Sequence, residues 1–196
     1  QLFLFGHVGR AMWDAVTAHG MDGPDPIDAH SVRAVDAYFE SEHPGVARRV
    51  LYPGGGPPLA LQALGELAGV HHASPFMVGV DARWGSWFAY RAVVVADTAR
   101  ATTRSVETAS PCDACAHRVC IASCPAGALD TGRFDLERCV THRRAPGSSC
   151  RDTCLARVRC PVGEEHRYEP AQIRYHYGRS LRTIEAYYAG STETSR

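Results

Sequence analysis

The residues best suited to chemistry in this 196-residue chain are its eight cysteines, which fall in two runs of four. The first run reads C-x2-C-x4-C-x3-C-P through Cys112, Cys115, Cys120, Cys124 and Pro125. The second reads C-x10-C-x3-C-x5-C-P through Cys139, Cys150, Cys154, Cys160 and Pro161. So many thiols can close disulfides, hold zinc or hold iron–sulfur clusters. Disulfides suit small exported chains that cannot build a core. Here 45% of residues are hydrophobic, which at this length supplies a core without covalent staples. The apolar run Leu2-Phe3-Leu4-Phe5 has no basic residues before it and is broken by Gly6-His7, unlike an export signal. Zinc sites usually pair two C-x2-C knuckles, and only Cys112-x2-Cys115 has that form.

Two runs that each close on Cys-Pro give the outline of a two-cluster ferredoxin module, in which the fourth cysteine of one run ligates the other cluster. Three cysteines in a tight loop wrap one face of a cube, while the fourth, on the turn or helix that follows, points away from it. The proline then turns the chain outward and removes an amide that has no partner. By this crossover one [4Fe–4S] cluster takes Cys112, Cys115, Cys120 and Cys160, and a second takes Cys124, Cys139, Cys150 and Cys154. Both runs are looser than C-x2-C-x2-C-x3-C-P. Insertions in exposed loops cost little entropy, but they leave a [3Fe–4S] form at one site open, and zinc remains the alternative metal.

The charge pattern fits an anionic guest. Overall the formal charge is zero, yet residues 1–98 carry a balance of −4 and residues 99–196 a balance of +4, with arginine as the sole strong base. Four thiolates on a [4Fe–4S] core leave about −2 per cluster, which the arginine excess would offset. No basic stripe with interleaved aromatics marks a nucleic-acid surface, and no apolar run is long enough to cross a membrane. These features read as a cytoplasmic protein. Gln1 is an unusual start, and a few preceding residues are expected.

The elements that must position the cysteines can be read from periodicity. Leu2–Val8 reads as a buried strand, then a helix carries Val8, Met12 and Val16 and stops at Gly20. A second helix runs from Asp28 to Glu42 with Val32, Val35 and Phe39 on one face. A strand at Ala47–Tyr52, a helix near Leu59–Leu67 and strands at Phe76–Val80 and Trp87–Ala96 follow. The result is an α+β domain over residues 1–96, a polar linker over 97–111 and the cysteine module over 112–170. Residues 171–190 form a terminal helix, with Ile173, Tyr177, Leu181, Ile184 and Tyr188 on one face, expected to pack on the first domain. Gly190 is expected to end it and STETSR to be loose.

Two resemblances follow from quoted stretches. The segment from Cys112 to Pro161 resembles the double-cluster module of epoxyqueuosine reductases and reductive dehalogenases. The first half resembles the cobalamin-processing family that includes the human methylmalonic aciduria type C protein, through LFLFGHVGRAMWDAV, DPIDAHSVRAVDAYF and VGVDARWGSWFAYRAVVV. The resemblance implies a nitroreductase-like sheet domain followed by a bacterial ferredoxin-like two-cluster module, with cobalamin as a further cofactor. Gly85, Ser86 and Trp87 would then admit a flat macrocycle, with Trp84 or Trp87 as an apolar wall. Where the cobalamin family shows His-Pro, this chain has Asp81-Ala82. In place of the epoxyqueuosine reductase Gly-Trp-Ile-Gly-Lys-Asn signature it has AGVHHASP, which argues against that substrate. The short first half makes a homodimer a further expectation.

Other candidates carry weaker chemistry. His71-His72 could ligate cobalt but reads more simply as a solvated pair, and Gly54-Gly55-Gly56 reads as a turn. Gly6-x-x-Gly9 lacks the full dinucleotide pattern. Asp28 and Asp36 cap or solvate a helix. No Ser-His-Asp or paired-carboxylate arrangement stands out, so catalytic residues are unassigned. The expected function is electron transfer from two [4Fe–4S] clusters to a corrinoid, as a reductase or cobalamin-handling protein fed by a redox partner protein. The alternatives are a non-catalytic ferredoxin-like carrier that docks a partner enzyme, and a zinc-stabilised interaction protein.

Overall fold

A computed structural model describes residues 1–54, 56–103 and 108–193, with side chains to 189. The middle of the triple glycine, part of the linker at 104–107 and the last three residues of STETSR lie outside the described residues. The fold is α+β, a small antiparallel sheet with helices, and the chain divides into two compact units. One comprises residues 1–72 and 87–109. The other comprises residues 73–86 and 110–196.

The first unit is built on three strands, β1 (Leu2–Val8), β2 (Arg48–Tyr52) and β3 (Phe88–Ala96), in the order β1-β3-β2. Both edge strands run antiparallel to β3, with Phe3 opposite Val94 and Arg48 opposite Ala96. Central β3 must be apolar on both faces, and Ala92, Val93 and Val94 are fully buried in succession. Helix α1 (Ala11–His19) buries Met12, Trp13 and Val16. Helix α2 (Pro26–Glu42) opens on a proline, whose fixed φ suits a first turn, and buries Ile27, Ser31, Val35 and Phe39 at four-residue spacing. That stripe lies over the sheet, where Val35 and Phe39 meet Ala92, Val94 and Ala96. Phe3 and Phe5, alternate residues of β1, reach the same face, and the Phe3 ring meets Phe39 edge-on at 5.2 Å. Asp36 accepts from Arg48 at 2.8 Å. Helix α3 (Leu61–Leu67) completes the unit.

The second unit carries α4 (Val119–Ala122), α5 (Leu136–Arg144), α6 (Leu155–Val158), a 3-10 turn at Glu164–His166 and α7 (Pro170–Glu193). Short α4 packs on α6, and α5 packs on α7. Asp135 caps α5 by accepting from the Arg138 amide at 3.0 Å, with Arg143 and Arg144 in the last turn where cations suit the helix dipole. On the expected face of α7, Ile173 and Leu181 are buried and Tyr177, Ile184 and Tyr188 are half-buried. The helix continues past Gly190 to Glu193.

One expected strand is absent. Residues 76–78 turn and bend instead, because Met77 takes a φ of 63°, a left-handed conformation that a regular strand does not contain. A turn bond from the Met77 amide to the Ser74 carbonyl at 3.2 Å holds it. The apolar residues there serve the second unit instead, with Phe76 and Val78 beside Cys120, Leu129, Ala156 and Cys160. Among the described residues no helix is long and apolar enough to cross a membrane.

Candidate metal centre

Each cysteine run begins in the same way. The Cys112 amide donates to Ser110 Oγ at 3.3 Å, and the Cys150 amide donates to Ser148 Oγ at 3.2 Å. A Ser-x-Cys turn therefore sets the direction in which each first thiol projects. Each run also ends alike, with one turn of helix before a Cys-Pro pair. Cys120 lies in α4 and Cys124 follows it; Cys154 caps α6 and Cys160 follows it. Cys139 sits alone on α5. All eight are free thiols.

The thiols act on one another in two sets. Burial pushes the Cys112 thiol up, and Cys160, Cys120 and Cys115 add to the shift, against the Ser110 hydroxyl. Cys120 is raised by burial, then by Cys160 and Cys115; Cys160 is raised by burial and by Cys115, against Arg167. Cys139 is pushed up to about 11 by burial, with Cys154, Cys124 and Cys150 adding to it and Arg143 opposing. Cys154 is raised by burial and by Cys150, and lowered by Arg157 and by a hydrogen bond with the Tyr177 hydroxyl. The structure thus brings Cys160 to the first run and Cys124 to the second. Thiols so raised stay protonated near neutral pH until a metal displaces the proton.

The surroundings fit a shielded, anionic group better than an exposed one. Cys112, Cys115, Cys120 and Cys160 line one cavity of about 280 Å³ together with Phe76 and Val162. Around the second set stand two buried guanidinium groups, each about 7% exposed. Arg143 donates to the carbonyl oxygens of Cys150 (3.2 Å), Arg151 (3.4 Å) and Tyr177 (2.8 Å) and to Ser180 Oγ (3.2 Å). Arg157 donates to Ser86 through both hydroxyl and carbonyl, and lies over the Tyr168 ring at 5.1 Å. A buried cation is costly unless negative charge stands near it, and every oxygen that Arg143 bonds is neutral. Among the described residues no three or more His, Cys, Asp or Glu side chains are placed to hold a metal ion. A single tetrahedral zinc needs four sulfurs at about 2.3 Å from one point, whereas a cube spreads its four ligands over separate irons.

Gly85, Ser86 and Trp87 are differently employed from a macrocycle floor. All three are buried. A Cβ on Gly85 would collide with the Val162 carbonyl, and one on Gly163 would collide with the Trp84 backbone, so two glycines let two chain segments meet. Asp81 and Gly85 bond each other's backbone in both directions at 2.9 Å, and Asp81 Oδ1 accepts from the Arg83 amide at 2.8 Å. Ser86 is taken by Arg157, and Trp87 has no exposed surface. Gly85 and Ser86 are thus taken up by contacts within the second unit. His71 is also not the solvated residue expected from a paired-histidine loop. It is 6% exposed, with Nδ1 at 3.1 Å from the Tyr90 hydroxyl, while His72 Nε2 meets Thr108 Oγ1 at 2.9 Å.

Sequence reasoning missed Arg143, Arg157 and the hydroxyl of Tyr177. Tyr177 was visible only as one apolar member of a helical face. Nothing distinguishes the two buried arginines among fifteen in the second half. The chain matches no family model, no curated protein and no solved structure.

Proposed function

We propose that this chain is an electron-transfer protein carrying two [4Fe–4S] clusters. One is held by Cys112, Cys115, Cys120 and Cys160, the other by Cys124, Cys139, Cys150 and Cys154. The observation that carries the reading is the grouping of the thiols. Cys112, Cys115, Cys120 and Cys160 line one cavity, and Cys124, Cys150 and Cys154 lie near enough to Cys139 to raise its thiol, so each set draws one member from the opposite run. Spacing alone predicts the same exchange for a two-cluster module. When bound, such clusters accept and release electrons one at a time at low potential. The chain's part is to supply eight thiolates, to wall one set with Phe76 and Val162, and to surround the other with fixed positive charge. The proposal includes a ferredoxin-like module behind a nitroreductase-like sheet unit, a cytoplasmic setting, and a redox partner protein as donor.

The acceptor divides the two forms of this reading. A corrinoid rests on the resemblance of the VGVDARWGSWFAYRAVVV stretch, whose Gly85, Ser86 and Trp87 are buried. A carrier that docks a partner enzyme needs no such pocket, and we favour it. Anaerobic isolation with iron and acid-labile sulfide analysis tests the common claim. About eight irons and eight sulfides per chain are expected for two cubes, with a brown colour and a paramagnetic signal after dithionite reduction. A colourless protein with about two zinc ions would overturn it. Adding a corrinoid to the reduced sample separates the forms, since a change in the corrinoid spectrum would restore the reductase reading.

A further inference from the structure

We infer that the two centres are built to be unequal, with Tyr177, Arg157 and Arg143 making the centre on Cys124, Cys139, Cys150 and Cys154 the easier to reduce. This rests on the two-cluster reading above and adds an order to it.

The asymmetry lies in the protein around each set of thiols. The Tyr177 hydroxyl is enclosed and hydrogen bonds to both Cys154 and Arg157. Arg157 is itself fixed, since Ser86 accepts from it twice and the Tyr168 ring lies beneath it. Arg143 stands over the ring of the same tyrosine at 5.4 Å and donates to the residue's carbonyl at 2.8 Å. Tyr177 thus meets two buried guanidinium groups, Arg143 at its ring and carbonyl and Arg157 at its hydroxyl, which also bonds Cys154. The first set has more exposed charge about it: Asp113 and Arg118, which line its cavity, are both exposed. Arg167 acts on Cys160, but it shares an ion pair with Glu164 at 3.4 Å, and those side chains are 35% and 65% exposed. Water screens a pair so exposed.

The direction follows from charge. With a [4Fe–4S] centre bound, a single-electron donor protein would add one electron and take its charge from about −2 to about −3, while Tyr177 would keep its proton. Buried positive charge and a hydroxyl that donates to a ligand sulfur both favour the more negative form. Tyr177, Arg157 and Arg143 would therefore favour the reduced form of the centre beside them.

Tyr177→Phe tests the inference, because it removes the hydroxyl and keeps the ring beneath Arg143. Anaerobic parent and variant are titrated with dithionite, and the reduced signals are followed by paramagnetic resonance. Two distinct midpoints are expected in the parent. In the variant the higher one should fall by about 59 mV, a tenfold change for one electron, while the lower stays in place. Ser86→Ala, which frees one bond of Arg157, should move the same midpoint in the same direction by less. Coincident midpoints in the parent, a variant whose higher midpoint does not move, or a shift of the lower one would overturn this inference alone. A parent lacking iron and sulfide would overturn the two-cluster reading and this inference together.

Discussion

Arg143 on α5 donates through Nη2 to the carbonyl oxygen of Tyr177 on α7 at 2.8 Å, so a buried charge ties the two helices. The same guanidinium satisfies the carbonyls of Cys150 and Arg151. Arg143→Met would fill the volume and leave four acceptors, three carbonyls and Ser180 Oγ, without this donor. The expected loss is about 3 kcal/mol, since each orphaned buried group costs roughly 1–3 kcal/mol before relaxation. Urea unfolding of the anaerobic protein measures it. A midpoint equal to that of the parent would mean the carbonyls find other donors. Arg143→Lys should recover little, because a single ammonium lacks the planar fork.

Gly85 is held at a φ of 58° with its α-carbon against the Val162 backbone. Gly85→Ala adds a methyl group where neither conformation nor space admits one. A left-handed alanine costs roughly 1–2 kcal/mol and forced overpacking about 1–3 kcal/mol, so a total of about 2–5 kcal/mol is expected in thermal or urea unfolding. Were the position kept small for a bound macrocycle, the variant would lose corrinoid binding with stability unchanged. That outcome would count against the packing account.

The exchange of closing cysteines has its own signature. Cys160→Ser and Cys112→Ser should abolish one paramagnetic signal, while Cys124→Ser and Cys139→Ser abolish the other, each with loss of about half the iron. Cys124 lies in the first run by sequence, but it acts on Cys139. If Cys124→Ser removed the same signal as Cys112→Ser, the sets would follow sequence order and the crossover would be wrong.

His71 makes the first unit sensitive to acid. Burial lowers its pKa from 6.5, with His72 acting in the same direction and Glu66 opposing. A histidine kept neutral in the fold leaves stability whole above pH 6.5. As pH falls below that value the unfolded chain takes up the proton first, so stability drops until the folded value is passed. His30, lowered by burial and by Arg33 and His19, adds the same sign. The urea midpoint should fall as pH drops through and below 6.5, and His71→Gln should flatten that slope. An unchanged slope in the variant would assign the dependence to other groups.

Much of the framework was legible because it depends on near neighbours in the chain. The four-residue spacing of Val35 and Phe39, the alternation of Phe3 and Phe5 and the apolar run of β3 each commit a segment to one face before any tertiary contact forms. The cysteine spacings likewise carry the proposal of two sets, since a loop's length limits which thiols can meet. Local pattern misled at residues 76–80, where an apolar stretch reads as a strand and Met77 turns the chain instead.

Only the tertiary structure decided which charges are buried and what the special glycines meet. Arg143 and Arg157 look like any surface arginine in the sequence, because the burial of a long side chain is fixed by the elements that close around it. Gly85 reads equally well as room for a ligand or room for the backbone, and the distant Val162 makes the choice. Spacing is a property of the chain, whereas enclosure is a property of the packed whole.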